Sequence, residues 1–494
     1  MNTPKLPLLR KWKEQFWPIK KYELKKILPL FFMKFFISMT YGVLTTMKDA
    51  FVVTAKGAGA EVIPVLKGWI VLPVAMGAAL IYSRLSNVLT RTKLFNYTIL
   101  FFMAFIALYG FVLYPNLDQL SPHESADKLM AYLGEQNGHW ISIYRNWIQS
   151  LFFVMAELWG QIAIFLLFWG FVNHISNLDE AKRSYNLFLA GGDLALIFTG
   201  PLVIFLTKSH IGSDFNLPLR KIVCCILFFG VMIISCHAIV NHFIKKDSRL
   251  FQPQNNKQGL EQKTKLSLKD SLRFIIQSKP LRYIAVIVVA YGLTINLIEV
   301  TWKANLKLVY PDTASYQSFM AGMGTMIGIC SLLVSLFFSG VLFRKLGWHF
   351  SAQLPPIVIG TTSLIFLVLF LMRNSIGQWG EFSPLSLVVF FGAFQNGISK
   401  LMKYTFFDST KEIAFIPLDQ ESKVKGKAAI DIVGSRLGKS GAAWIQIILI
   451  QLAGTGSVLS ITRFLIPIVT FSVLFWIMSV RSLNKQFIAH LENK

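Results

Sequence analysis

The sequence has 494 residues, 54% of them hydrophobic and only 15% charged, with a mean hydropathy of +0.53. Apolar runs of about 20 residues recur along it, long enough to cross a bilayer as helices, which excludes an ordinary soluble domain and points to an all-α polytopic membrane protein. A net charge of +24 would suggest nucleic acid in a soluble protein, but most basic residues fall in loops on one side of the predicted spans, where they set orientation, so no nucleic-acid partner is expected.

The chain opens with a polar, lysine-rich stretch, 1–26, that is expected to be cytoplasmic. No cleavable signal peptide is expected, because the first apolar run is long enough to remain as a span. About twelve spans follow, at 27–47, 66–85, 94–114, 147–172, 185–206 and 222–244, then 282–302, 317–341, 350–372, 383–406, 428–453 and 460–480. With twelve spans, the basic N-terminus, Arg84, Arg91 and Lys93, Lys245 to Lys279, and Arg344 and Lys345 all share one side. Loop 3–4, with Asp118, Glu124, Asp127 and Glu135, lies opposite, so both termini are predicted to be cytoplasmic. The polar segment 245–281, with Pro253, Asn255, Asn256 and Gly259, separates a bundle over 27–244 from one over 282–480, and 481–494 forms a cytoplasmic tail. Within that linker, Leu266 to Ile276 fits a short amphipathic helix on the membrane surface.

Two echoes support a division into six and six. Thr46-Met47-Lys48 aligns with Thr301-Trp302-Lys303, each at the end of the first apolar run of its half. Leu178-Asp179-Glu180 before span five matches Leu418-Asp419-Gln420 before span eleven. Two six-helix bundles joined by a basic loop give a major-facilitator-like architecture.

Charges inside spans are costly and usually face a watery path. Four stand out: Lys48 at the mouth of span one, Glu157 near the middle of span four, Glu299 near the outer end of span seven, and Lys439 in span eleven. Secondary candidates are Asp49, Asn296, Lys303, Arg436 and Asp193, the last placed to pair with a basic residue or begin a kink. Lys34 reads as snorkelling, and Lys400 and Lys403 as orientation signals.

Several other signals lead nowhere. Cys224, Cys225, Cys236 and Cys330 sit in apolar segments and suggest neither disulfides nor zinc. The eight histidines show no metal-ligand spacing, so no metal and no cofactor is expected. Gly434-Ser435-Arg436-Leu437-Gly438-Lys439-Ser440 resembles a nucleotide-binding P-loop, but has three residues between its glycines where that loop needs four, and no strand precedes it. Its glycines are expected to let a backbone or ligand approach the helix. No catalytic residue is assigned, and the chain is not expected to be an enzyme.

Longer stretches carry a resemblance. They are Met47-Lys48-Asp49, Val52 to Gly57 and Ala60 to Pro64; then Ala156-Glu157-Leu158-Trp159-Gly160 and Glu299-Val300-Thr301-Trp302-Lys303. Ile416 to Asp419, Lys425 to Asp431 and Leu437-Gly438-Lys439-Ser440-Gly441 complete the set. In order and spacing the sequence resembles the ATP/ADP translocases, or nucleotide transporters, of plastids and obligate intracellular bacteria, over nearly all of the chain from Phe16. The resemblance implies a twelve-span carrier that imports host nucleotides by alternating access across a bacterial inner membrane. It implies ATP/ADP exchange first, with broader ribonucleotide exchange, proton-coupled uptake of nucleoside triphosphates or NAD/ADP exchange as alternatives. It places the family's functional charges on Lys48, Glu157, Glu299 and Lys439.

The expected partners are nucleotides and lipid, and a monomer is expected. Lys48 and Lys439 would contact phosphates, Glu157 and Glu299 would hold those lysines between substrates or carry a proton, and a base would stack on Trp159, Phe153 or Tyr291.

Overall fold

A computed structural model describes residues 22–176, 178–208, 214–250, 275–337, 339–375, 383–415, 417–418, 426, 430 and 434–492. Most of the linker and the 425–431 motif lie outside this set, as do the basic residues before Tyr22 and the pair Asp419-Gln420. Eleven helices are long and apolar enough to cross a membrane. They are α1 (Leu24–Thr54), α2 (Val62–Val88), α3 (Arg91–Leu120), α4 (Trp147–Ile175), α5 (Arg183–Thr207) and α6 (Asn216–Lys246), then α7 (Lys279–Val309), α8 (Thr313–Val334), α9 (Gly347–Met372), α10 (Pro384–Ala414) and, last, α12 (Thr462–Gln486). The shorter apolar helix Leu437–Ala453, α11, occupies the eleventh place. It ends at Gly454, whose left-handed φ of 67° lets its N–H reach back to the carbonyls of Ile450 and Gln451.

Each half is built around its first helix. α1 packs on α4, α5 and α6, and α7 packs on α10, α11 and α12. α1 has 31 residues, hence about 46 Å of length against a hydrocarbon core of about 30 Å. Its buried residues lie all round it, as expected of a helix enclosed by a bundle. The outward positions are apolar instead: Leu80, Phe101, Phe205, Val231 and Phe471 are all exposed, which in a bilayer is the side that meets lipid.

The helices that carry charge run past their expected ends. α1 continues through Thr54 and α7 through Val309, so Lys48 and Lys303 lie within helices rather than at their mouths. α2 starts at Val62 and encloses Lys67. Loop 3–4 is itself partly helical, over His123–Leu133 and Gly138–Arg145. It is clamped to the end of α1: Ser142 Oγ donates to the Gly57 carbonyl at 2.5 Å, and Asn146 Nδ2 to that of Lys56 at 3.0 Å. Gly57 has a φ of 65°, a left-handed conformation that favours glycine.

Consecutive spans alternate in direction, so the terminal face, where α1 begins and α12 ends, is opposite a far face where α1 ends and α2 begins. The halves meet along α5 with α8, α2 with α11, and α1 with α7 and α8. Thr325 Oγ1 of α8 donates to the Ile197 carbonyl of α5 at 3.3 Å, and other polar ties sit in the far part of the protein. Thr54 Oγ1 lies 2.8 Å from Thr313 Oγ1, Thr207 Oγ1 2.7 Å from Ser318 Oγ, and Gln451 Nε2 donates to Asn137 Oδ1 at 3.1 Å. Lys307 Nζ donates to the Ala58 carbonyl.

Candidate functional site

Six charges line up where the halves meet. Starting from α4, Glu157 Oε1 lies 3.0 Å from Lys48 Nζ on α1, which is 3.0 Å from Asp49 Oδ1 beside it. The other Asp49 oxygen is 2.9 Å from Lys303 Nζ on α7. Lys303 in turn is 2.7 Å from Glu299 Oε1 one turn earlier, and Glu299 Oε2 faces Lys67 Nζ of α2 at 3.8 Å. Acid and base alternate along the whole chain. Two of its links, Asp49–Lys303 and Lys67–Glu299, join the first half of the protein to the second.

Burial grades along this chain. The side chains of Asp49 and Lys303 are 2% and 1% exposed, and Lys48 is 6%. The flanking Glu157, Glu299 and Lys67 are 26%, 24% and 21% exposed. The central three therefore form a dry floor, and the outer three are partly exposed around it. A lone charge at mid-membrane costs about 2.5–3.5 kcal/mol on insertion scales; alternation gives every buried member an opposite charge at contact.

Local backbone shape places these groups. Lys67 lies in a π-helical turn, Leu66–Val71, and similar turns occupy Gly160–Trp169 just after Glu157 and Lys403–Phe407 just after Lys400. Such turns rotate the face that a helix presents and recur at functional sites. The helix crossing that brings α11 against α7 depends on two glycines. A Cβ on Gly438 would lie 3.0 Å from the Gly292 Cα, and one on Gly292 would lie 3.1 Å from the Gly438 Cα. The glycines of the P-loop look-alike thus allow a close helix approach, as expected, inside the helix Ser435–Ala453.

Of the expected residues, Lys48, Glu157 and Glu299 come together, joined by the secondary candidates Asp49 and Lys303. Lys439 does not join them. It is exposed and makes no ion pair with a described residue. Its neighbour Gly438 touches Gly292, two turns before Glu299, which puts Lys439 about 10 Å nearer the terminal face. Glu299 therefore holds Lys303 and Lys67 rather than Lys439. The side chain of Arg436 lies outside the described residues. Asn296 is buried, and its Nδ2 donates to the Gly292 carbonyl at 2.7 Å. Asp193 faces Lys34 across α5 and α1, and Lys34 Nζ also lies 5.5 Å from the centre of the Phe168 ring.

The aromatic expectations divide. Trp159 is fully buried, donates Nε1 to the Ile37 carbonyl at 3.2 Å and packs edge-on against Phe102, so it is a core residue. Phe153 lies under Lys48, 4.2 Å from ring centre to Nζ, and orients that lysine. Tyr291 is half-buried and stacked on Phe407 at 4.3 Å.

Two cations escaped the sequence reading. Lys67 falls inside the expected span 66–85 without being singled out, and Lys400 is expected to be an orientation signal. Lys400 in fact sits halfway along α10, exposed, and close enough to Glu299, Lys303, Asp49 and Lys48 to share their field. All four cysteines are free.

A family model described as TLC ATP/ADP transporter matches residues 5–487. The chain is 41% identical to "ADP,ATP carrier protein 1" of Chlamydia pneumoniae, over 96% of this chain and 93% of that one. It is 40% identical to the chloroplastic ADP,ATP carrier protein 1 of Arabidopsis thaliana, over 94% of this chain and 74% of that one. With ADP,ATP carrier protein 3 of Rickettsia felis the identity is 35%, over 99% of both. Among solved structures, a bacterial homologue of the iron transporter ferroportin aligns with a TM-score of 0.54 at 15% identity, covering 97% of this chain and 99% of that one. A D-xylose–proton symporter aligns at 0.53 and 11%, covering 94% and 97%. Those two likenesses speak for the fold, a major-facilitator-like pair of six-helix bundles; the family model and the carriers speak for descent, and the chain belongs to the TLC ATP/ADP transporter family.

Proposed function

We propose that the protein exchanges ATP for ADP by alternating access, as an importer of host nucleotides in a bacterial inner membrane with both termini cytoplasmic. The rocking bodies would be 27–244 and 282–480, joined by 245–281. The relatives' names as ADP,ATP carriers support the substrates, and the basic loops on the terminal side support the orientation.

The observation that carries the reading is the ion-pair chain across the two halves. A nucleotide phosphate tail of about −3 to −4 charges needs cations along its path, and every lysine in the chain already faces a carboxylate. Closure at the far face is held by Asp49–Lys303 and Lys67–Glu299. To open that face without a ligand, both links must break and leave charges in a dry floor. A phosphate tail that takes over the lysines removes that obstacle, so the loaded carrier reorients and the empty one stays put. This is the physical content of obligatory exchange.

The test is uptake into proteoliposomes. Vesicles preloaded with ADP should take up labelled ATP far faster than empty vesicles, and a protonophore should leave the rate unchanged. Equal rates with and without internal ADP would sink exchange and favour net uptake. A phosphate-release assay run alongside measures any hydrolysis.

A further inference from the structure

Two cations at the site have no carboxylate to themselves. Lys67 Nζ is 3.8 Å from Glu299 Oε2, beyond the reach of a charge-assisted hydrogen bond, while the other oxygen of Glu299 is taken by Lys303 at 2.7 Å. Lys67 donates no hydrogen bond to a described residue. Lys400 makes no ion pair with a described residue and is exposed at mid-length of α10, within the field of Glu299 and Lys303. The cluster thus holds four lysines (48, 67, 303 and 400) against three carboxylates (49, 157 and 299).

The surplus positive charge is not on the floor. Lys48 and Lys303 are each in contact with two carboxylates, and they are dry. Lys67 and Lys400 are the under-neutralised members, and both are more exposed than the floor. They also stand on opposite halves, on α2 and α10. Both lie in the field of Glu299, and an anion held by both would tie the halves together. A phosphoryl group suits that place, since it offers several acceptor oxygens and the two ammonium groups offer up to three donors each.

We propose that Lys67 and Lys400 form a subsite for the terminal phosphate of the bound nucleotide, bridging the two halves, and that Glu299 stands in for that phosphate on Lys67 when the carrier is empty. This rests on the nucleotide-exchange reading above and adds to it the group that distinguishes a triphosphate from a monophosphate. Arrival of the phosphate draws Lys67 from Glu299, which keeps its shorter contact to Lys303. One inter-half ion pair is thereby exchanged for a phosphate bridge, so the halves are tied through the nucleotide instead of through Glu299.

The experiment is equilibrium binding of labelled ATP, ADP and AMP, and of inorganic phosphate, to the purified full chain and to Lys67→Gln, Lys400→Gln and Lys67→Arg, with thermal unfolding as a check on folding. Lys400→Gln removes an exposed group that makes no ion pair with a described residue, so it should unfold like the parent. It should weaken ATP by about tenfold, the loss of one charge-assisted phosphate contact, and leave AMP nearly unchanged. Lys67→Gln should do the same, and Lys67→Arg should keep the parental preference for ATP over AMP. If folded Lys400→Gln keeps the parental ATP-to-AMP ratio, the subsite is wrong. Loss of inorganic-phosphate binding with that ratio intact would equally overturn its assignment to the nucleotide. If the parent binds no nucleotide at all, the exchange reading itself falls, a result distinct from a parent that binds ATP and variants that bind it equally well.

Discussion

Asp49→Asn is the sharpest perturbation of the proposed closure. Asp49 is shared between a lysine of the first half and a lysine of the second, at 3.0 Å and 2.9 Å, tighter than the 3.8 Å at which Glu299 meets Lys67 across the halves. Stripping a buried charge of its partner costs about 3–5 kcal/mol. Here each lysine keeps a second carboxylate, Glu157 for Lys48 and Glu299 for Lys303, so the low end, about 3 kcal/mol, applies. The Lys48–Asp49 contact lies within α1 and persists in either state, whereas Asp49–Lys303 exists only while the far face is closed. The loss therefore falls on the closed form, and about 3 kcal/mol shifts the open-to-closed ratio by roughly a hundredfold. Two measurements read it. Empty vesicles carrying Asp49→Asn should take up ATP at a rate approaching that of ADP-loaded ones. A cysteine placed at Thr313, which in the closed form meets Thr54, should react faster with a membrane-impermeant maleimide applied from the far side than the same cysteine in the parental background, once labelling of the four native cysteines is subtracted. Folded Asp49→Asn with parental dependence on internal ADP and parental labelling at position 313 would refute the claim that this ion pair closes the carrier.

Other substitutions test neighbouring parts of the argument. Glu157→Gln keeps the shape of the side chain but frees Lys48 on one side; transport should fall tenfold or more with expression unchanged, and parental flux would make Glu157 a bystander. Gly438→Leu puts a branched side chain where a Cβ already meets the Gly292 Cα at 3.0 Å; overpacking of this kind costs about 1–3 kcal/mol, so thermal stability should drop, and a parental melting temperature would show that α7 and α11 are not in close contact. His139 is 1% exposed, and neither ring nitrogen has a hydrogen-bond partner among the described residues. Burial lowers its basicity, so the unfolded chain binds the extra proton first and the folded protein loses stability as the pH falls through about 6.5. His139→Leu should remove that part of the acid sensitivity, seen as a flatter melting temperature between pH 7 and pH 5; an unchanged slope would assign it to other groups.

Hydropathy made eleven of the twelve expected spans legible, because a bilayer demands long apolar helices whatever they carry. It was blind where the site lies, for a reason visible in two helices. Span one was expected to end at 47, one residue before Lys48, and span seven at 302, one residue before Lys303. The real helices reach Thr54 and Val309. A charge ends an apolar run in the sequence, yet in the fold the run continues because the charge is paired. The residues that build the site thus shortened the very helices that hold them. Lys400 was misplaced in the same way: α10 extends to Ala414, which moves it from the rim to mid-depth. The ion-pair partners were illegible for another reason. Asp49 and Lys303 are far apart in sequence, and only the packing of α1 on α7 joins them.

The internal echo shows that the two halves balance their charges differently. Thr46-Met47-Lys48 repeats as Thr301-Trp302-Lys303, but the next residue is Asp49 in the first half and Ala304 in the second. The two halves place equivalent lysines on the floor and supply only one carboxylate at the following position. The second half compensates on the same helix, with Glu299 one turn earlier, and the first does so from another helix, with Glu157 on α4. Neither arrangement is a copy of the other, so the chain has a direction: it runs from a carboxylate on α4 to a lysine on α2. A phosphate group entering at the lysine end meets an unsatisfied cation, and one entering near Glu157 meets a negative charge. The nucleotide should therefore lie with its phosphates toward α2 and α10 and its nucleoside toward α4, the only polarity in which the tail gains cations and Glu157 is left on Lys48.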